Sequence, residues 1–162
     1  MTLREHLIEE LTRSHDRQPW HGPSRRALLD GVGAAEAALH PVVGAHSIWE
    51  LVLHMTSWTR EVSRRLHGAP PAAPSDGDWP EVGEPTEARW REACFALDRA
   101  HAALLGIVAA LPPERLGDRV GTGDEPELGT GTTMALMIAG IAEHDAYHCG
   151  QVAILKRAIT AR

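Results

Sequence analysis

Residues 137–159 read MIAGIAEHDAYHCGQVAILKRAI, and this stretch decides the fold. Met137, Ile141, His144, His148, Val152, Leu155 and Ile159 recur at steps of three and four, the period of one helical face. His144 and His148 are four apart, so they project from the same side of the helix, one turn above the other. Both take places where the apolar stripe should continue, so they are expected to point into a core. Burying two imidazoles is costly unless something satisfies their ring nitrogens. A metal ion reached by both would do so, with at least one more ligand from elsewhere in the chain. The plainer alternative is a pair of core histidines hydrogen-bonded to backbone or side chains.

Working outward, three more long segments read as helices. Residues 2–14 begin with Thr2 and Glu5 at capping-box spacing and carry Leu3, Leu7 and Leu11 on one face. Residues 47–66 begin with Ser47 and Glu50 at the same spacing, and their stripe is Ile48, Leu51, Met55, Trp58, Val62 and Leu66. Gly68 and the prolines beyond it stop that helix. A third helix follows Pro85, capped by Thr86, and runs to Leu111 before Pro112 and Pro113 end it. The last starts at Thr132 or Thr133. Between them, residues 15–46 hold short helical pieces near 24–29 and 34–39. Residues 67–85 read as an irregular crossover loop, and the glycine-rich residues 117–131 as a second loop without a supported hairpin. There is no internal repeat and no alternating strand pattern. The expectation is an all-α four-helix bundle with long crossovers, in one domain spanning residues 1–162.

Composition narrows the function. The chain is 43 % hydrophobic and 23 % charged, with a formal net charge of −6, a globular profile. Arg25-Arg26 and Arg64-Arg65 are its only notable basic pairs, which argues against a nucleic-acid partner. Arg64-Arg65 reads as a solvated helix end rather than an anion clamp. Cys94 and Cys149 are far apart and form no C-x-x-C pair, so a reduced, cytoplasmic setting is expected. The polar N-terminus shows no secretory signal, and no uninterrupted apolar run suits a membrane.

The third ligand should face inward from another long helix. His54 fits, three residues after Leu51 and four before Trp58. Of the ten histidines, only His144 and His148 form an i, i+4 pair; His6, His15, His40, His67 and His101 show no inward partner. Three imidazoles with an open fourth position is the pattern of a catalytic zinc site.

At this point the sequence resembles the DinB/YfiT-like family. His46-Ser47-Ile48-Trp49-Glu50-Leu51-Val52-Leu53-His54 is similar to the family's second-helix motif. His144-Asp145-Ala146-Tyr147-His148-Cys149-Gly150-Gln151 is similar to its last-helix motif, H-x-x-x-H-x-G-Q. Trp20-His21-Gly22-Pro23-Ser24 resembles a segment that follows its first helix. The resemblance implies an up-down-down-up bundle, a homodimer, and a metal site of His54, His144 and His148. It implies either a metal-dependent hydrolase or a thiol S-transferase using a bacillithiol-, mycothiol- or glutathione-type cosubstrate. Many members have no known activity.

The hydrolase, acting through metal-bound water, is the leading expectation. The alternatives are the transferase, with a small-molecule thiol cosubstrate, and a non-catalytic metal-binding stress-response module. Zinc or nickel is the expected divalent ion, and iron, copper and cobalt also suit imidazole. Glu50 is the candidate general base, although the capping box with Ser47 is its plainer role. Asp145 either orients a ligand histidine or lies exposed or between helices. Gln151 shares the histidine face and donates to a ligand, a substrate or a backbone carbonyl. Tyr147 is read as a core residue with a hydroxyl that could line the pocket. Cys149 points about 100° away from the ligand face and is not expected to bind the ion. Trp20 and His21 are expected to fold over the open side of the site, and Trp49, Trp58 and Trp90 to serve core or interface.

Overall fold

A computed structural model describes residues 1–161. Among them the regular structure is helical: α1 (Leu3–Asp16), α2 (Arg25–Leu29), α3 (Ala34–Ala37), α4 (Ile48–Leu66), α5 (Glu87–Ala110) and α6 (Met134–Thr160), with 3-10 turns at Pro113–Gly117 and Pro126–Leu128. The long helices start where the caps predict. Thr2, Ser47, Thr86 and Thr133 each accept a hydrogen bond from the third backbone N–H of the helix that follows. Each such cap is worth about 1 kcal/mol. Thr2 with Glu5 and Ser47 with Glu50 complete reciprocal capping boxes.

The four long helices pack as a ring: α1 touches α5 and α6, and α4 touches the same two. Residues 67–86 therefore join helices that are neighbours in the ring. The crossings between diagonal helices are made by residues 17–47 and 111–133 instead. In the second of these, Val120 N–H donates to the Thr132 carbonyl and Gly131 N–H to the Val120 carbonyl, both at 2.8 Å. Arg119 and Thr133 form an isolated antiparallel bridge. A minimal hairpin thus closes a loop whose glycines hid it from the sequence.

The core has two lobes. Toward one end, Trp49, Leu51, Val52, Met55, Trp90, Leu97 and Val152 pack together under α2 and α3. Trp90 Nε1–H donates to the Val32 carbonyl at 2.6 Å, giving the buried indole its polar partner. Toward the other end, Leu7, Leu11, Leu66, Leu104, Val108, Ile138 and Ile141 form the second lobe. Helix α5 has the length and composition to cross a membrane, yet within the bundle its Trp90, Leu97, Leu104 and Val108 face these two lobes.

Buried ion pairs tie the connections to the bundle. Arg65, expected at a solvated helix end, is buried at 3 % exposure. Its Nε donates to Glu61, its Nη1 to the Leu128 carbonyl and its Nη2 to the Ala72 carbonyl, so it fastens two loops to α4. Arg25 at 2 % and Asp145 at 3 % exposure form a second pair, joining α2 to α6. Asp145 is thus interhelical rather than exposed or bonded to a ligand histidine. Removing one partner of such a pair leaves a bare buried charge, costing about 3–5 kcal/mol.

Beside Arg25 lies a histidine stack that the sequence did not reveal. His15 Nδ1 is 2.7 Å from Arg25 Nη2, and its ring stacks on buried His101 with centroids 4.2 Å apart. Burial first, then the Arg25 charge and His15, push the His101 imidazole down to about 3. The unfolded chain titrates this group near the usual value of about 6.5. Between those values the unfolded state binds a proton that the folded state refuses. This contribution to stability is complete above about pH 6.5 and is lost as pH falls toward the folded value. Urea unfolding of wild-type and His101→Phe protein at pH 7 and pH 5 should therefore differ in pH dependence. The wild type should lose roughly 2 kcal/mol more than the variant over that interval. Equal losses would show that His101 is not held neutral.

Candidate metal centre

Helix α4 supplies His54, and α6, packed against it, supplies His144 and His148 one turn apart. Their Nε2 atoms converge: His144 Nε2 is 3.0 Å from His54 Nε2 and 3.1 Å from His148 Nε2. Among the described residues, this trio alone gathers three metal-ligating side chains with donor atoms within 4.8 Å of one another. His54 and His148 are buried and His144 is half-buried.

The outer nitrogens set the tautomers. His54 Nδ1 lies 2.7 Å from the Asp78 carbonyl oxygen, which can only accept, so Nδ1 carries the hydrogen. His148 Nδ1 lies 2.7 Å from Gln151 Oε1 and donates there in the same way. Both neutral rings are left with bare lone pairs on Nε2. Burial is the largest effect holding all three imidazoles below their usual range, with the neighbouring rings adding to it at His144, which is pushed down to about 4. Neutral imidazole is the ligating form.

This arrangement fits a divalent ion better than it fits itself. One hydrogen on His144 Nε2 can serve at most one of the two opposing lone pairs well. A cation serves all three. Imidazole nitrogens bind zinc at about 2.0–2.1 Å, which places two of them on one ion roughly 3.0–3.4 Å apart, the separation seen here. His144 Nδ1 is buried without a protein partner among the described residues, so the polar contacts of this ring are those of its Nε2.

The connection between α4 and α5 closes the site. Trp79 stacks on His54 with centroids 3.9 Å apart, and also on His46 at 3.5 Å. Trp58 Nε1–H donates to Asp78 Oδ1 at 2.7 Å, and Arg60 Nη1 to Asp76 Oδ2 at 2.6 Å, anchoring the loop on the outer face of α4. Asp78 and Trp79 were missed in the sequence because nothing in a Pro/Gly-rich connection indicates which residue returns to a helix. The sole usable signal was a tryptophan, the one aromatic residue in the loop.

Trp20 and His21, expected over the site, are instead exposed and line a groove between α1 and α6. The segment leads into α2, whose Arg25 pairs with Asp145, a residue of α6 outside the histidine trio. Tyr147 is also exposed, with its ring edge-on to His148 at 5.1 Å, rather than in the core. Cys149 is buried in the core and separate from the histidine trio. Glu50 accepts from Ser47 N–H at 2.6 Å and faces His40 Nε2 at 2.9 Å. Burial pushes its pKa up, but the hydrogen bonds from Ser47 and His40 outweigh this and hold it below the usual carboxylate range.

A helical bundle with three convergent histidines defines a class of metal-binding protein. The sequence model of the DinB superfamily matches residues 24–152, and the chain belongs to that family. No curated protein and no solved structure matches it. The histidine cluster and the family together fit a protein that binds a divalent metal.

Gln151 offers a test of the tautomer argument, because it touches His148 only at the nitrogen away from the ion. Gln151→Leu should leave the helical signal intact and weaken zinc affinity by about 10–100-fold, the usual effect of losing such a partner. Asp78→Ala keeps the main-chain carbonyl and should weaken it less. Competition against a chromophoric chelator reads both, and unchanged affinity in Gln151→Leu would contradict the assignment.

Proposed function

We propose that this protein is a metal-dependent hydrolase acting on a small uncharged substrate. The observation that carries the reading is the position of His144. It belongs to the histidine trio and also borders a cavity of about 300 Å³ walled by Trp58, Val62, Met137 and Ile141. A divalent ion held by His54, His144 and His148 supplies Lewis acidity toward a carbonyl and toward water.

The chain's own residues do the rest. Asp78 and Gln151 keep the hydrogens on the outer nitrogens, so the inner ones stay free to ligate. Trp79 covers His54 and limits water on that flank. The apolar walls hold the substrate's body beside His144. The lining supports a hydrolase over a transferase that recognises an anionic thiol. Arg65 is the cation on its wall among the described residues, and Glu61, Leu128 and Ala72 occupy its Nε, Nη1 and Nη2. Glu127, an exposed residue, lies on the same wall. The free Cys94 and Cys149 support a reducing, cytoplasmic setting.

The test is a panel of uncharged nitrophenyl esters and anilides with zinc- or nickel-loaded protein. Alongside it runs conjugation of an electrophile with bacillithiol, mycothiol or glutathione. Hydrolysis that falls to background in His144→Ala supports the proposal. Conjugation without hydrolysis would assign the transferase, and neither activity would assign a binding module. Glu50→Gln keeps an acceptor for the capping box and removes the carboxylate. Because Glu50 is held by Ser47 and His40, activity should stay within a few-fold. A loss of about 10²–10⁴ would instead make it the general base.

A further inference from the structure

We infer that the cavity beside His144 is the binding site for an uncharged apolar acyl or aryl group, and that Gly140 is the residue that keeps it open. The inference rests on the hydrolase reading for the group's role but on independent observations for its place. The cavity, about 300 Å³, is at the lower end of the range of small-molecule pockets. Its walls are largely apolar, and each of the three nitrogens of its arginine already has a protein partner, one of them the Glu61 carboxylate. Apart from the ion on His144, a group carrying negative charge would meet Glu127 and, as the side-chain cation of the wall among the described residues, an arginine already paired with Glu61.

Gly140 is four residues before His144 on α6, so it faces the same side one turn away. Glycine is the poorest helix former after proline, and here neither usual excuse for it applies. Its φ is not positive, and a Cβ built on it meets nothing within 4 Å. No packed neighbour demands the missing side chain. What the missing side chain leaves is space in the cavity next to a metal-ligating histidine. Gly106 and Gly150 are also helical with nothing within 4 Å, but both are exposed and neither borders this cavity. They are internal controls for the effect of a larger residue on a helix.

The experiment uses a neutral fluorescent probe, N-phenyl-1-naphthylamine, and its anionic counterpart, anilinonaphthalene sulfonate, on the metal-loaded protein. The wild type should bind the neutral probe saturably at one site per chain and the anionic one more weakly. Gly140→Leu should lose at least tenfold in affinity for the neutral probe with metal content and helicity unchanged. Gly106→Leu and Gly150→Leu should bind as the wild type does. Gly140→Ala should fall between wild type and Gly140→Leu in affinity and melt at a higher temperature; it carries the test if the leucine variant fails to fold. Wild-type affinity in Gly140→Leu, equal losses in the control variants, or equal binding of the two probes would overturn the inference.

With nitrophenyl esters from acetate to hexanoate, kcat/KM should rise by up to about fourfold per methylene, and Gly140→Leu should flatten that rise. If no ester is hydrolysed but the leucine variant still loses the neutral probe, the pocket stands and the hydrolase reading falls.

Discussion

Three imidazoles from two helices turn bare nitrogens toward one point, and most of the structure serves that constraint. A lone pair aimed at another lone pair 3 Å away is repulsive, so the arrangement needs a cation or a rearranged set of protons. The fold removes the second option at two of the three rings. The Asp78 carbonyl holds the outer hydrogen of His54, and Gln151 holds that of His148. Burial then makes protonation of the inner nitrogens costly.

Helix α6 has to be held still for this to work, and the polar contacts on its other side do so. Asp145 follows the ligand His144 but points to a different neighbour, the buried Arg25 of α2. Further along, Lys156 Nζ donates to the Leu28 and Asp30 carbonyls at the end of α2. The short α2 is thus joined to α6 at two heights. Helix α4 is fixed in a comparable way, by Arg65 reaching both the Ala72 and Leu128 carbonyls. A buried ion pair is often matched in net stability by well-packed apolar residues, but these contacts join named points on α2, α4 and α6, and a three-ligand site depends on that geometry.

What was legible in the sequence was whatever is local or periodic. Caps at Thr2, Ser47, Thr86 and Thr133 could be read because the cap and its partner lie within one turn. His54, His144 and His148 could be read because each falls on an apolar stripe where a polar residue needs a reason. Contacts between distant segments were hidden. Arg25 with Asp145, His15 with His101, and Asp78 with His54 each join segments whose approach is set by tertiary packing. Trp20 was misplaced for the same reason: an exposed aromatic and a covering one look alike in sequence. Trp79 covers the site because Asp76 and Asp78, just before it in the chain, anchor its loop to α4.

The central claim is that the three Nε2 atoms hold one divalent ion per chain. The most direct measurement combines metal stoichiometry with X-ray absorption on protein purified without a histidine tag and loaded with zinc. The account predicts one zinc per chain, with a first shell containing three imidazole nitrogens at about 2.0–2.1 Å. No retained zinc after desalting, or a shell without imidazole scattering, would contradict it.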